Sequence, residues 1–147
     1  MKMAKPTGRL LTALCAICTF ATFAGAAHGE EAACHVIYGG ETKVVRVAET
    51  ETPYTVPAVK FGSFFRFRAV VDTGPLVPDD LAAFKTYVYA EGDDAPALIH
   101  QGVFPWPVVE GPAQRFGFTG LHRVYEPDTS SELEFWCSVV DLGEGRE

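Results

Sequence analysis

Glu132-Leu133-Glu134-Phe135-Trp136-Cys137-Ser138-Val139-Val140 reads as a half-buried strand. Leu133, Phe135, Cys137 and Val139 fall on one side of an extended chain and Glu132, Glu134, Trp136 and Ser138 on the other, the period of two of a sheet with one dry face. Cys137 therefore points inward. A second cysteine opens Cys34-His35-Val36-Ile37-Tyr38, early in the chain, so a bridge between the two ties the first strand to the last. The expectation is an exported all-β domain closed by Cys34–Cys137.

Export is read from the amino end. Lys2, Lys5 and Arg9 precede an apolar run from Leu10 to Phe23, and Ala24-Gly25-Ala26-Ala27 follow, the three-part layout of a secretory leader. The run is about 14 residues and contains Thr12, Thr19 and Thr22, short of the roughly 20 that span a bilayer, so cleavage is favoured over a retained anchor and no membrane span is expected afterwards. Cys15 and Cys18 follow Leu14 and Ile17, where lipid attachment wants a small residue, and leave with the leader. Residues 1–27 are assigned to the signal peptide and residues 28–147 to a single domain, periplasmic or secreted. The small residues also allow starts at Ala27 or Glu30; only cleavage after Ala27 leaves His28 first.

Residues 28–147 carry nine basic against nineteen acidic residues, a net of −10. Such a chain repels polyanions, and its Lys and Arg residues form no run, so nucleic acid is set aside as a partner. The same acidity suits export and favours cations or a basic partner. About 120 residues build one core, and no linker or internal repeat argues for two. Exactly two cysteines remain after the leader, and in an oxidising compartment they are expected to pair.

Between the cysteines the pattern stays extended. Gly39-Gly40 separates Val36-Ile37-Tyr38 from Thr42-Lys43-Val44-Val45-Arg46-Val47, a hairpin whose turn needs positive φ. Thr52-Pro53 and Val56-Pro57 interrupt as a loop or edge. Phe65, Phe67, Ala69 and Val71 then alternate with Phe64, Arg66, Arg68 and Val70, so one side is core and the other carries two guanidinium groups. Arg66 and Arg68 can hold a ligand carboxylate or phosphate, but pairing with cross-strand acids such as Glu132 or Glu134 is the more common use. Asp72-Thr73-Gly74-Pro75 is a turn, and Pro78 to Phe84 predicts a turn or two of helix. Thr86 to Ala90 returns to strand, the acidic turn Glu91 to Pro96 follows without the ligand spacing of a calcium loop, and Ala97 to Phe104 is the partner strand. Arg115 to Tyr125 and Leu133 to Val140 form the final hairpin across Pro127 to Ser131, with Gly117 and Gly120 marking a bulge or close backbone approach.

Seven or eight short strands with almost no helical period predict an antiparallel β-sandwich or barrel; an immunoglobulin-like sandwich leads and a closed barrel is second. Asp80-Leu81-Ala82-Ala83-Phe84 resembles the corner before the late strand of immunoglobulin-like domains, with Thr86 where a classical member has cysteine.

No catalytic motif is present: there is no Gly-x-Ser-x-Gly elbow, zinc-protease helix or phosphate loop, and acids such as Asp79/Asp80 or Glu132/Glu134 sit where solvated acids ordinarily sit. Two ligand readings remain. Phe104-Pro105-Trp106-Pro107-Val108-Val109 places large apolar groups between prolines, either plugging an end of the fold or exposed as a protein-docking patch around Phe104 and Trp106. His28, His35, His100 and His122 are candidate metal ligands; an amino-terminal histidine with a second from a strand would hold copper, a layout similar to exported copper β-sandwich proteins such as polysaccharide monooxygenases and copper carriers. The expected function is a non-enzymatic exported binding module contacting another protein, using Phe104, Trp106, Arg66 and Arg68, with copper binding as the alternative.

Overall fold

In the computed structural model of the protein the described residues are Met1, 31–74, 82–109 and 114–140. Residues 2–27 of the expected leader, His28 and most of the segment expected as a short helix lie outside them. Among the described residues eight strands follow in chain order: β1 Glu31–Tyr38, β2 Glu41–Thr50, β3 Val59–Phe61, β4 Phe65–Asp72, β5 Ala83–Ala90, β6 Ala97–Pro105, β7 His122–Tyr125 and β8 Glu132–Val140. A single turn of 3-10 helix, Pro53–Thr55, crosses between β2 and β3.

The strands form one sheet in the order β6-β5-β4-β2-β1-β8-β7, with β3 paired to β4 off that path. Every pairing is antiparallel except one: Glu49 and Thr50 at the end of β2 run parallel to Val71 and Asp72 of β4. That short junction joins two leaves, β2-β1-β8-β7 and β3-β4-β5-β6, which face each other so that the sheet is nearly closed into a barrel. Of the two all-β closures the sequence leaves open, the barrel describes the strand order better.

The alternation seen in sequence puts the large groups inside. Phe65, Phe67, Phe84, Leu133 and Phe135 are fully buried, and Phe67 of β4 meets Phe135 of β8 across the interior at 5.0 Å between ring centroids. Each such ring contributes about 1.5–3 kcal/mol by leaving water. Cys34 and Cys137 oppose each other on β1 and β8 and are disulfide-bonded. The Gly39-Gly40 turn has positive φ at both residues, as its hairpin requires.

Trp106 is the end plug. It is 5% exposed, packs against Phe84 and Phe118, and its Nε1 donates to Glu49 Oε1 at 2.9 Å where β2 crosses to β4. The exposed alternative for Trp106 is thereby corrected: closing a barrel end buries the indole, and Glu49 satisfies its N–H. Phe104 is half-buried in β6 against Phe84 and Phe118.

Two further readings are corrected. Ala83 and Phe84 are the first residues of β5 rather than helix, because Phe84 fills the core opposite Val71 and Phe104, and packing outweighs local helix preference. Residues 115–119 are turns rather than strand; only His122–Tyr125 pairs with β8. Beyond that pairing Phe118 N donates to Cys137 O at 3.0 Å, and Cys137 N donates to Thr119 Oγ1 at 2.8 Å. Gly117 has φ +57°, and a Cβ there would collide with the Cys137 carbonyl, so the close approach foreseen from its sequence is what holds this turn against β8.

Candidate functional site

The outer face of β3-β4-β5-β6 concentrates the chain's scarce positive charge. Strand register places the residues of this side in three rows: Lys60, Arg66, Tyr89 and Leu98; Arg68, Tyr87 and Gln101; and Val70, itself buried, with Lys85 and Val103. Four of the eight Lys and Arg residues among those described lie here, namely Lys60, Arg66, Arg68 and Lys85. Apolar groups lie among them. Leu98 is 50% and Val103 59% exposed, and Tyr87 and Tyr89 stack on each other with centroids 6.4 Å apart.

Arg66 finds its acid in Glu91, at the end of β5, and not in Glu132 or Glu134. Its Nε and a terminal nitrogen donate to the two Glu91 oxygens at 2.5 and 3.0 Å, the fork geometry an arginine favours. Lys60 shares the same carboxylate at 3.6 Å. The Arg66 hydrogen bond holds the Glu91 carboxyl below its usual range, and Lys85, 2.9 Å away, does the same for Asp72. Glu134 instead binds Arg123, its neighbour across β7 and β8.

Arg68 differs. Its guanidinium lies over the Tyr87 ring at 5.3 Å and donates to the carbonyl of Pro53, and its buried Nε has no partner among the described residues. Among the described residues no carboxylate neutralises it. Glu91 and Asp72 therefore offset two of the four cations, leaving a charge of +2 among the described residues of this face. Arg66 and Arg68, singled out in sequence, lie together here; Phe104 and Trp106 lie inward of it. The tyrosine pair, Glu91 and the exposed aliphatics of β6 were missed as site residues. Tyr87 and Tyr89 at a spacing of two on a strand were the available signal.

The three described histidines do not gather at one place. His35 stacks on Trp136 on the outside of β1 and β8, with centroids 3.9 Å apart. His100 and His122 meet at the seam where β6 and β7 approach: Nε2 of His100 is 3.2 Å from Nδ1 of His122. Both rings pack on Phe135, the His122 ring parallel to it at 4.8 Å. Burial, and then the neighbouring His122, pushes His100 below the ordinary imidazole value. Among the described residues no group of three or more His, Cys, Asp or Glu gathers to hold a metal ion.

No protein-family model, curated protein or solved structure matches this chain. Among the described residues no helix is long and apolar enough to cross a membrane.

Proposed function

We propose that the protein is an exported, non-enzymatic binding module that engages an acidic segment of a partner protein on the outer face of β3-β4-β5-β6. The observation that supports this most is Arg68. It is a guanidinium already ordered on Tyr87 and lacking a carboxylate among the described residues, so a partner acid gains a charge-assisted bond without ordering the arginine first. Around it, Tyr87, Tyr89, Leu98 and Val103 supply apolar contact between cations, the mixture of aromatic and arginine groups found at interface hot spots. The disulfide is compatible with an oxidising compartment.

The test is the double variant Leu98→Asp with Val103→Asp, two exposed positions whose change leaves the core untouched. In the producing cell the variant accumulates to the parent level and unfolds at the parent urea midpoint. It elutes at monomer size from a native extract, whereas the parent elutes in a larger, salt-sensitive complex. Parent and variant eluting identically would remove this face from the account.

A further inference from the structure

We infer that His100 and His122 form a copper(II) site that fastens the open seam of the barrel. β6 and β7 are the two ends of the strand order, and among the described residues no backbone pairing joins them. What spans the gap is side chains, with the two imidazoles at its inner side: His100 faces inward opposite Val88, and His122 inward opposite Phe135.

The donor atoms are specified. Nε2 of His122 is 3.0 Å from the Thr119 carbonyl, which can only accept, so that nitrogen carries the proton and Nδ1 presents a bare lone pair. A ligating histidine whose other nitrogen donates to a backbone carbonyl is the usual supporting arrangement of metal sites. Nε2 of His100 stands 3.2 Å from that Nδ1. Two nitrogens bound to one ion at roughly 2.0–2.1 Å, with angles between square and tetrahedral, lie about 2.9–3.4 Å apart. The separation therefore matches two neighbouring ligands of one ion, which displaces the hydrogen bond between the rings once each ring turns its lone pair off the line joining them. His100 moves its single proton from Nε2 to Nδ1, so no net proton is released. Thr119 is itself anchored, its Oγ1 accepting from Cys137 N, which ties the carbonyl behind His122 to the disulfide strand.

Imidazole pairs favour the borderline divalent ions, and among these Cu(II) binds most strongly to nitrogen sites. With two protein ligands from the described residues, water completes the shell. This is narrower than the four-histidine expectation: His35 is committed to Trp136 on the outer face, and His28 lies outside the described residues.

The experiment is titration of the exported, disulfide-bonded protein with copper(II) sulfate, read by calorimetry and electron spin-echo spectroscopy. The parent binds a Cu(II) carrying two imidazole nitrogens. His100→Gln and His122→Gln each weaken that site at least tenfold and leave a single imidazole signal, while His35→Gln binds as the parent does. Should a variant fail to fold, the parent decides alone: substoichiometric Cu(II) broadens the ring-proton resonances of His100 and His122 before those of His35. Parent-like copper binding by folded His100→Gln or His122→Gln protein, or His35 broadening first, overturns the site. Because Leu98→Asp with Val103→Asp leaves both histidines in place, its effect on complex formation is independent of this result.

Discussion

Cys34 and Cys137 face each other on neighbouring strands, both fully buried, and close a loop spanning 103 residues. Reducing the bridge while keeping both sulfur atoms isolates the cross-link from core packing. In the chain-entropy view a loop of that length removes about 4.7 kcal/mol of freedom from the unfolded chain at 25 °C. Replacing both cysteines by alanine adds two voids of roughly methyl size, about 1 kcal/mol each. Domains of this size hold together by about 5–15 kcal/mol, so the bridge supplies from about a third to nearly all of that margin. With an m-value of about 1.5 kcal/mol per molar urea, the unfolding midpoint of the reduced protein falls by about 3 M, and the double alanine variant falls further. The assay is equilibrium urea unfolding followed by far-ultraviolet dichroism, on oxidised, reduced and Cys34→Ala/Cys137→Ala protein. A midpoint for the reduced form within about 0.5 M of the oxidised one would mean that the bridge constrains nothing that strand pairing does not already constrain.

Three other perturbations bear on separate parts of the fold. Thr86 is fully buried with no hydrogen-bond partner for its hydroxyl among the described residues, so Thr86→Val is expected to stabilise by about 1 kcal/mol, seen as a higher urea midpoint. Gly117→Ala forces a left-handed residue against the Cys137 carbonyl; the backbone strain alone is about 1–3 kcal/mol, and the variant loses amide protection at Phe118 and Cys137 in hydrogen exchange. Glu126 accepts from the Thr129 hydroxyl and from the backbone of Asp128 and Thr129, which lowers its pKa. Its ionised form therefore stabilises the fold above the ordinary carboxylate pKa near 4.3, and that contribution is lost as pH falls through the lower folded value. Glu126→Gln is less stable than the parent at pH 7, and the gap narrows through this acid range, measured by urea midpoints at each pH.

The strands that were legible are the ones with one wet face. The first half of β4, and β8, alternate because Arg66 and Arg68, or Glu132 and Glu134, separate the buried groups, and the glycine pair at 39–40 names its own turn. β3 escaped notice because three residues between Pro57 and Gly62 carry no period, although they pair in full with β4. The start of β5 was misread because Leu81-Ala82-Ala83-Phe84 suits a helix locally, and only the core opposite Phe84 decides otherwise. Barrel closure has no local signature, since two parallel pairs at Glu49 and Thr50 bend the sheet round. From that closure follow the burial of Trp106 and the meeting of His100 with His122. For the candidate face, Arg66 and Arg68 were visible as outward cations. Their company was not, because Tyr87, Leu98 and Val103 reach them through register across two further strands.

The most direct measurement of the proposed role is photo-crosslinking in the producing cell from a benzophenone amino acid placed at Gln101, in the middle of the basic face, and at Thr42, exposed on the opposite leaf. One discrete adduct is expected from Gln101, with an acidic crosslinked peptide, absent from Thr42 and lost when Leu98→Asp and Val103→Asp are added. Equal adducts from both positions, or none from Gln101, would contradict that role.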